Sequence, residues 1–184
     1  MKHSPLVGLG DSNAQFKVYI ANRPKLPQYL SLSSQLTLKQ NDIATIGQAC
    51  GNGWRKVFNV YAKLMFALQA QGVHLANGFS SWQQYRDQRM LQSQSSTALM
   101  FSPPVLDEQQ PAIQVICGRT YAQQLDAEYG LRLFWLNAEF AVSPMYRLFV
   151  CPYFDYRQLS NLKIAYLQTL IGEYGASANA KERL

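Results

Sequence analysis

Five short apolar segments, separated by helical or turn-rich stretches, constrain the fold of this chain more than any other feature. Each is rich in β-branched and aromatic residues and is followed by proline, glycine or polar residues, as β-strands usually are. The segments are FKVYIA (16–21), TALMFSPP (97–104), PAIQVICG (111–118), LRLFWL (131–136) and YRLFVC (146–151). They are apolar on both faces, which is typical of strands buried on both sides of a parallel sheet. The sequence therefore predicts an α/β fold of three layers, with a largely parallel central sheet flanked by helices.

The clearest helix is predicted over residues 54–70, where apolar residues recur at i, i+3 and i+4. Its apolar face consists of Trp54, Val57, Phe58, Tyr61, Leu64, Met65 and Leu68. On the opposite face lie Arg55, Lys56, Asn59 and Lys63. We expect this polar face to be either solvated or directed at a phosphate. Further helices are predicted near 39–49, within 80–96, over 119–128 and after the last strand to about residue 174.

Length and charge set the class of protein. A chain of 184 residues is long enough for one domain with a sizeable core, with residues 1–15 as a loose leader and 175–184 as a frayed tail. The beginning of the chain is not typical of a signal peptide, and no apolar stretch approaches the roughly 20 residues that span a bilayer. A cytoplasmic protein without a membrane segment is therefore predicted. The formal charge of +6 favours contact with anions such as nucleic acid.

The histidines and cysteines argue against metal chemistry. The chain has two histidines and three widely spaced cysteines, Cys50, Cys117 and Cys151, without a C-x-x-C pair. A zinc site needs about four such ligands at close spacing, and a disulfide framework needs paired cysteines. We therefore expect no metal and no cofactor. Cys117 and Cys151 end apolar strands and are expected to be inert packing residues.

The segments that follow the predicted strands are the candidate ligand site, because ligands of open parallel sheets bind beyond the carboxyl ends of the strands. These ends read ANRP (21–24), FSPP (101–104), CGRT (117–120) and CPYFDYR (151–157). If the strands are parallel neighbours, their polar side chains converge on one edge, where three arginines favour an anionic ligand. The candidate binding residues are Asn22, Arg23, Phe101, Ser102, Arg119, Tyr153, Tyr156 and Arg157. Asp155 has capping-box spacing to Gln158 and is expected to be the N-cap of the last helix, with Ser160 as the alternative.

The order of these motifs resembles the uracil-DNA glycosylase superfamily. In that family a first strand ends in an Asp-Pro or Asn-Pro block, and a second ends near the pyrimidine pocket. A third leads into a Gly-Lys-like turn and helix, and a last strand ends in a His-Pro-Ser or Asn-Pro-Ser loop before the final helix. Here VYIANRP, ALMFSPP, VICGRTYAQQL and LFVCPYFDYRQLSNLKIAYLQTL occur in that order, over about residues 16–172. The resemblance implies a uracil-DNA glycosylase-like fold that binds DNA, a nucleotide or a nucleobase.

The chain departs from the family at two blocks. Arg23 is inserted between Asn22 and Pro24, while Cys151 and Tyr153 replace the His or Asn and the Ser of the last loop. Neither a thiol nor a phenol reproduces the stabilisation that an imidazole gives a developing uracil anion. The expected function is therefore nucleobase, nucleotide or nucleic-acid binding by a catalytically diverged member. One alternative is an active N-glycosylase in which Asn22 orients a water, and another is a non-enzymatic protein-interaction module.

Overall fold

All eight strands of the described chain join in one mixed sheet, in a computed structural model that describes residues 5–175. The strands are β1 (Gly8–Gly10), β2 (Phe16–Tyr19), β3 (Gln35–Leu36), β4 (Thr97–Met100), β5 (Ile113–Cys117), β6 (Phe134–Trp135), β7 (Ala141–Ser143) and β8 (Leu148–Cys151). The helices are α1 (Pro27–Leu30), α2 (Asp42–Cys50), α3 (Asn52–Leu68), α4 (Trp82–Gln88), α5 (Arg119–Tyr129) and α6 (Asn161–Tyr174). The order across the sheet is β3-β1-β4-β2-β5-β8-β7-β6.

The centre of the sheet is parallel. Strand β2 lies between β4 and β5, and β8 continues on the far side of β5, all four running in the same direction. Every residue of these four strands is buried. The α/β class is confirmed, and the parallel arrangement holds for this centre, whose strands are mostly apolar, as is usual for strands covered on both faces.

The outer strands make the sheet mixed rather than largely parallel. Strand β1 is antiparallel to β4, and β7 is antiparallel to both β8 and β6. The two outermost strands, β3 and β6, are two residues long. Short edge strands limit the row of unpaired backbone groups that would otherwise recruit another chain.

Part of the predicted loose leader is a strand in the structure. Within residues 5–15, β1 is buried between β3 and β4, and the prediction of a loose leader is wrong for this part. A Cβ on Gly8 would lie 2.5 Å from the Leu99 carbonyl oxygen, and Gly10 has a φ of +114°. The same glycines that let β1 approach β4 lower its strand propensity, so the sequence pattern misses it. Residues 1–4 and 176–184 lie outside the described residues.

Two predicted strands begin later than expected, for one physical reason. The segment 131–136 forms a ladder only at β6, and 146–151 only at β8. Arg132 has a φ of 56° and Arg147 a φ of 48°, and a left-handed residue interrupts an extended strand. The sequence pattern also misses β7 and β3.

The helices cover both faces of the sheet unequally. Apolar residues of α2, α3, α4 and α6 pack against one face, together with side chains such as Val18 and Val115. Ala122 and Leu125 of α5 pack against the other face, over Ile116 and Val150. All seven residues of the predicted apolar face of α3 are buried. Helices α2 and α3 begin and end within about three residues of their predicted bounds, a normal uncertainty for helix ends.

The hydroxyl of Tyr61 joins α3 to the centre of the sheet. Tyr61 is fully buried; its hydroxyl donates to the carbonyl oxygen of Ala98 at 2.9 Å and lies 3.3 Å from that of Phe16. Burial raises the pKa of Tyr61 well above its usual value. The phenol therefore stays neutral and serves as a fixed donor between β2 and β4.

We expect Tyr61→Phe to lower the free energy of unfolding by about 0.5–1.5 kcal/mol, because a buried carbonyl loses its donor. Urea unfolding followed by circular dichroism measures this change. Tyr166→Phe is the matched control, since Tyr166 is partly exposed on α6 and keeps its ring against Phe140. Equal losses in the two variants would contradict the role given to the Tyr61 hydroxyl.

Candidate functional site

The four central strands bring their carboxyl ends to one edge of the sheet. The segments that follow β4, β2, β5 and β8 leave this edge side by side, because the strands are parallel neighbours in that order. The sequence predicted that these ends meet only if the strands are parallel neighbours, and in the structure they are. The predicted binding residues therefore lie at one edge of the sheet. Which of them contact one another depends on the directions of their side chains.

Asn22 and Tyr153 meet across this edge. The Asn22 amide nitrogen donates to the Tyr153 hydroxyl oxygen at 3.3 Å, linking the segment after β2 to the segment after β8. Asn22 is exposed and Tyr153 is half-buried. Burial is the main cause that raises the pKa of Tyr153, while the hydrogen bond from Asn22 opposes it. Because the phenol is neutral, the pair offers hydrogen-bonding groups rather than charge.

Arg23 and Phe101 form the second predicted pair. The Arg23 guanidinium carbon lies 5.4 Å from the centroid of the Phe101 ring. One guanidinium nitrogen also donates to the carbonyl oxygens of Leu30 at 3.2 Å and Leu32 at 3.1 Å. Arg23 therefore fixes the chain just after α1, and this internal role uses part of the charge that the sequence assigned to a ligand.

Ser102 and Arg119 make internal contacts instead of joining these pairs. Ser102 is 8% exposed, and its hydroxyl oxygen accepts from the backbone N–H of Val7 at 3.2 Å. Arg119 donates to the carbonyl oxygen of Ala138 at 2.9 Å and lies 5.2 Å from the centroid of the Trp135 ring. Ser102 thus holds the start of β1, and Arg119 holds the hairpin of β6 and β7.

The loop after β8 is fixed by Asp155 in a way that differs from the prediction. Helix α6 begins at Asn161 with Ser160 at the N-cap position, so Asp155 is not its N-cap. One Asp155 carboxylate oxygen accepts from the backbone N–H of Arg157 at 3.0 Å, and the other accepts from the Lys56 ammonium at 2.8 Å. The Asp155 side chain thus closes an Asx-type turn over residues 155–157. Helix α6 begins six residues after Asp155, too far along the chain for Asp155 to cap it.

Lys56 is the residue that sequence reasoning did not place in the site. It lies 99 residues from Asp155 in the chain and was one of several polar residues on the outer face of α3. Hydrogen bonds from Lys56 and from the Arg157 backbone lower the pKa of Asp155. Asp155 is therefore ionised and neutralised, which makes it a structural anchor rather than a general base.

Tyr156 is the most exposed aromatic side chain at this edge. Its relative exposure is 55%. The Lys56 ammonium lies 5.0 Å from the ring centroid, and the Arg157 guanidinium carbon lies 5.9 Å from it. The neighbouring Phe154 points into the core, where its ring meets Tyr61 edge-on at 6.0 Å. The loop is thus anchored by Phe154 and presents Tyr156 to solvent with two cations near its ring.

The cysteines near this edge are shielded from solvent. Cys117 and Cys151 are buried, and burial raises the pKa of the Cys117 thiol well above its usual value. Within residues 5–175, histidine, cysteine and acidic side chains do not cluster in a way that would hold a metal ion. Over the same residues, the helices are too short or too polar to cross a membrane.

We expect Asp155→Asn to lower the free energy of unfolding at pH 7 by about 1 kcal/mol or less, the usual range for a partly exposed ion pair. The carboxylate has a lowered pKa in the folded chain, so its contribution is present above its ordinary pKa of 3.8 and is lost as the pH falls through the folded value. Urea unfolding at pH 7, 4 and 3 should show the difference from wild type shrinking with pH. Glu173→Gln, an exposed change on α6, is the control; the same pH trend in both variants would count against the Lys56–Asp155 pair.

Comparison with known proteins gives a family without an assigned activity. No curated protein and no solved structure matches this chain significantly. Residues 7–172 match the family described as "Family of unknown function (DUF6942)". The match spans all of the strands, the site and nearly all of α6, and the chain belongs to this family.

Proposed function

We propose that this protein binds a nucleobase, a nucleotide or nucleic acid at the carboxyl edge of its central strands, with Tyr156 as the stacking platform. The observation that supports this most directly is the exposed Tyr156 ring between Lys56 and Arg157. A base that stacks on such a ring contributes about 1–3 kcal/mol, and the neighbouring Arg157 attracts its phosphate. Asn22 and Tyr153 add neutral donors and acceptors within the same edge.

The proposed fold relationship is to the uracil-DNA glycosylase-like proteins. It is supported by the order of the four strand-end motifs and by the parallel centre, whose neighbouring strands end at the edge where open α/β sheets usually bind ligands. The segment CPYFDYR follows the last parallel strand, where that family has its DNA-contacting loop. The proposal concerns fold and ligand class, since fold alone does not determine activity.

Catalysis is proposed to be lost. Cys151 stands where the family has a histidine or asparagine, and it is fully buried. Tyr153 stands where the family has a serine, and its hydroxyl is bonded to Asn22, the one candidate for orienting a water. Asp155 is paired with Lys56 and is therefore a poor base. An exposed Asn22 is the observation that keeps the N-glycosylase as the second candidate.

Binding is tested by titrating fluorescent single-stranded and double-stranded oligonucleotides at low salt. Tyr156→Leu should weaken binding by about fivefold to a hundredfold, the loss of one stacked base. Tyr156→Phe is the matched control and should keep most of the affinity because the ring remains.

Arg157→Gln should reduce the slope of log K against log salt by about 0.7, the loss of one phosphate contact on a single strand. Absence of binding at low salt would refute the proposal.

Catalysis is tested by incubating the protein with oligonucleotides that contain uracil or hypoxanthine and cleaving any abasic product with alkali. We expect no abasic product, because neither an imidazole nor an available carboxylate serves the edge within the described chain. Product that disappears in Asn22→Ala would replace the proposed binding protein with an active N-glycosylase. Product that persists in Asn22→Ala would indicate a contaminating enzyme.

A further inference from the structure

The environment of Tyr156 is repeated at Trp82, the first residue of α4. The Lys63 ammonium lies 5.2 Å from the centroid of the Trp82 ring, and the Arg86 guanidinium carbon lies 5.5 Å from it. Trp82 is half-buried, so part of its ring stays accessible. Both aromatic residues thus have one lysine from α3 and one arginine from their own segment over the ring. The repetition makes Trp82 a second candidate platform.

Arg86 is held rigidly beside Trp82. Its Nε and one terminal nitrogen donate to the two carboxylate oxygens of Asp87 at 2.7 and 2.9 Å. The other terminal nitrogen donates to the side-chain oxygen of Asn59 on α3 at 2.5 Å. Lys63, by contrast, has no carboxylate within 4 Å among the residues that the structure describes. Lys63 is therefore the cation that can leave the ring for a phosphate, while Arg86 keeps the ring in place.

Both lysines belong to one polar stripe of α3. Lys56 and Lys63 are seven residues apart, which places them on the same side of the helix and about 10 Å apart along its axis. Asn59 lies between them on this stripe and accepts from Arg86. From the sequence, we expected the polar face of α3 to be either solvated or directed at a phosphate. In the structure this face is half-buried at Lys56, Asn59 and Lys63, and the rings of Tyr156 and Trp82 lie against it.

An open groove of about 390 Å³ begins at Trp82 and Lys63 and runs between α3, α4 and α6. Its lining includes the apolar Phe66 and Ile164 and the amides of Asn161 and Gln168. Asn161 is the first residue of α6, directly after the loop that presents Tyr156. The groove therefore reaches the residue that follows the Tyr156 loop in the chain, and its amides are donors and acceptors of the kind that base edges pair with.

From this arrangement we infer that Trp82 and Lys63 form a second base-binding station, and that the ligand is single-stranded nucleic acid long enough to reach both stations. This inference rests on the proposed binding at Tyr156. A mononucleotide occupies one station only, whereas a strand with a rise of about 3.4 Å per nucleotide covers the roughly 10 Å between the lysines in about three nucleotides. In a duplex the base faces are covered by their neighbours, so only unpaired bases reach the two rings.

The experiment measures affinity against length at low salt. Thymidine monophosphate and oligo-dT of two, four and eight nucleotides are titrated, with fluorescence anisotropy for the labelled strands and competition for the monophosphate. Strands of four or more nucleotides should bind at least about tenfold more tightly than the monophosphate, the gain expected from one more stacked base. Trp82→Leu should remove this gain, and Lys63→Gln should reduce it.

Two matched controls show whether any loss of affinity is specific to Trp82 and Lys63. Phe134→Leu removes another exposed aromatic ring, and Arg132→Gln removes another exposed cation; both should keep the gain with length. Trp82→Phe retains a ring and should keep most of the gain in affinity with strand length. Thermal melts of all variants report whether they still fold.

The outcomes separate this inference from the proposed function. Equal affinity for the monophosphate and the longer strands, with sensitivity to Tyr156→Leu, would overturn the second station and leave the first in place. A gain with length that survives in folded Trp82→Leu would also overturn it. Binding that depends on Trp82 and not on Tyr156 would overturn the proposed site at the strand edge, and no binding at any length would overturn both.

Discussion

Burial of β2, β4, β5 and β8 on both faces is the constraint on which the rest of the structure depends. Strands covered on both sides by helices run parallel here, and parallel neighbours end at the same edge. Segments that are up to about 130 residues apart in the chain (residues 21–24 and 151–157) are thereby brought together. The Asn22–Tyr153 contact and the position of Tyr156 both follow from this burial rather than from any local motif.

The cations near this edge divide into two groups. Arg23 and Arg119 donate to backbone carbonyls and lie against aromatic rings, so they stabilise loops. Lys56 both neutralises Asp155 and lies against Tyr156, joining the anchor of the loop to its exposed ring. A guanidinium that follows a strand is therefore weak evidence of a ligand by itself, because the carbonyls at strand and helix ends compete for its donors.

The sequence predicts those parts of the molecule in which periodicity and burial agree. Helix α3 is predicted because its seven apolar residues all face the core, and the central strands because most of their residues are apolar. Strand β1 is missed since two of its three residues are glycines, and β6 and β8 begin late because Arg132 and Arg147 are left-handed. The Lys56–Asp155 pair has no local signal at all, as 99 residues separate its members. The backbone edge of the site was predictable, whereas the partners of its charged side chains were not.

The position of β1 also bears on how the chain assembles during synthesis. This strand pairs antiparallel with β4 and parallel with β3, so its main partner is made about 90 residues after it. Until residues 97–100 have left the ribosome, Gly8–Gly10 has only the two-residue β3 to pair with. Pairing at such long sequence separation is slow because the intervening loop must first be closed. The β1 side of the sheet therefore closes only after α2, α3 and α4 have been synthesised.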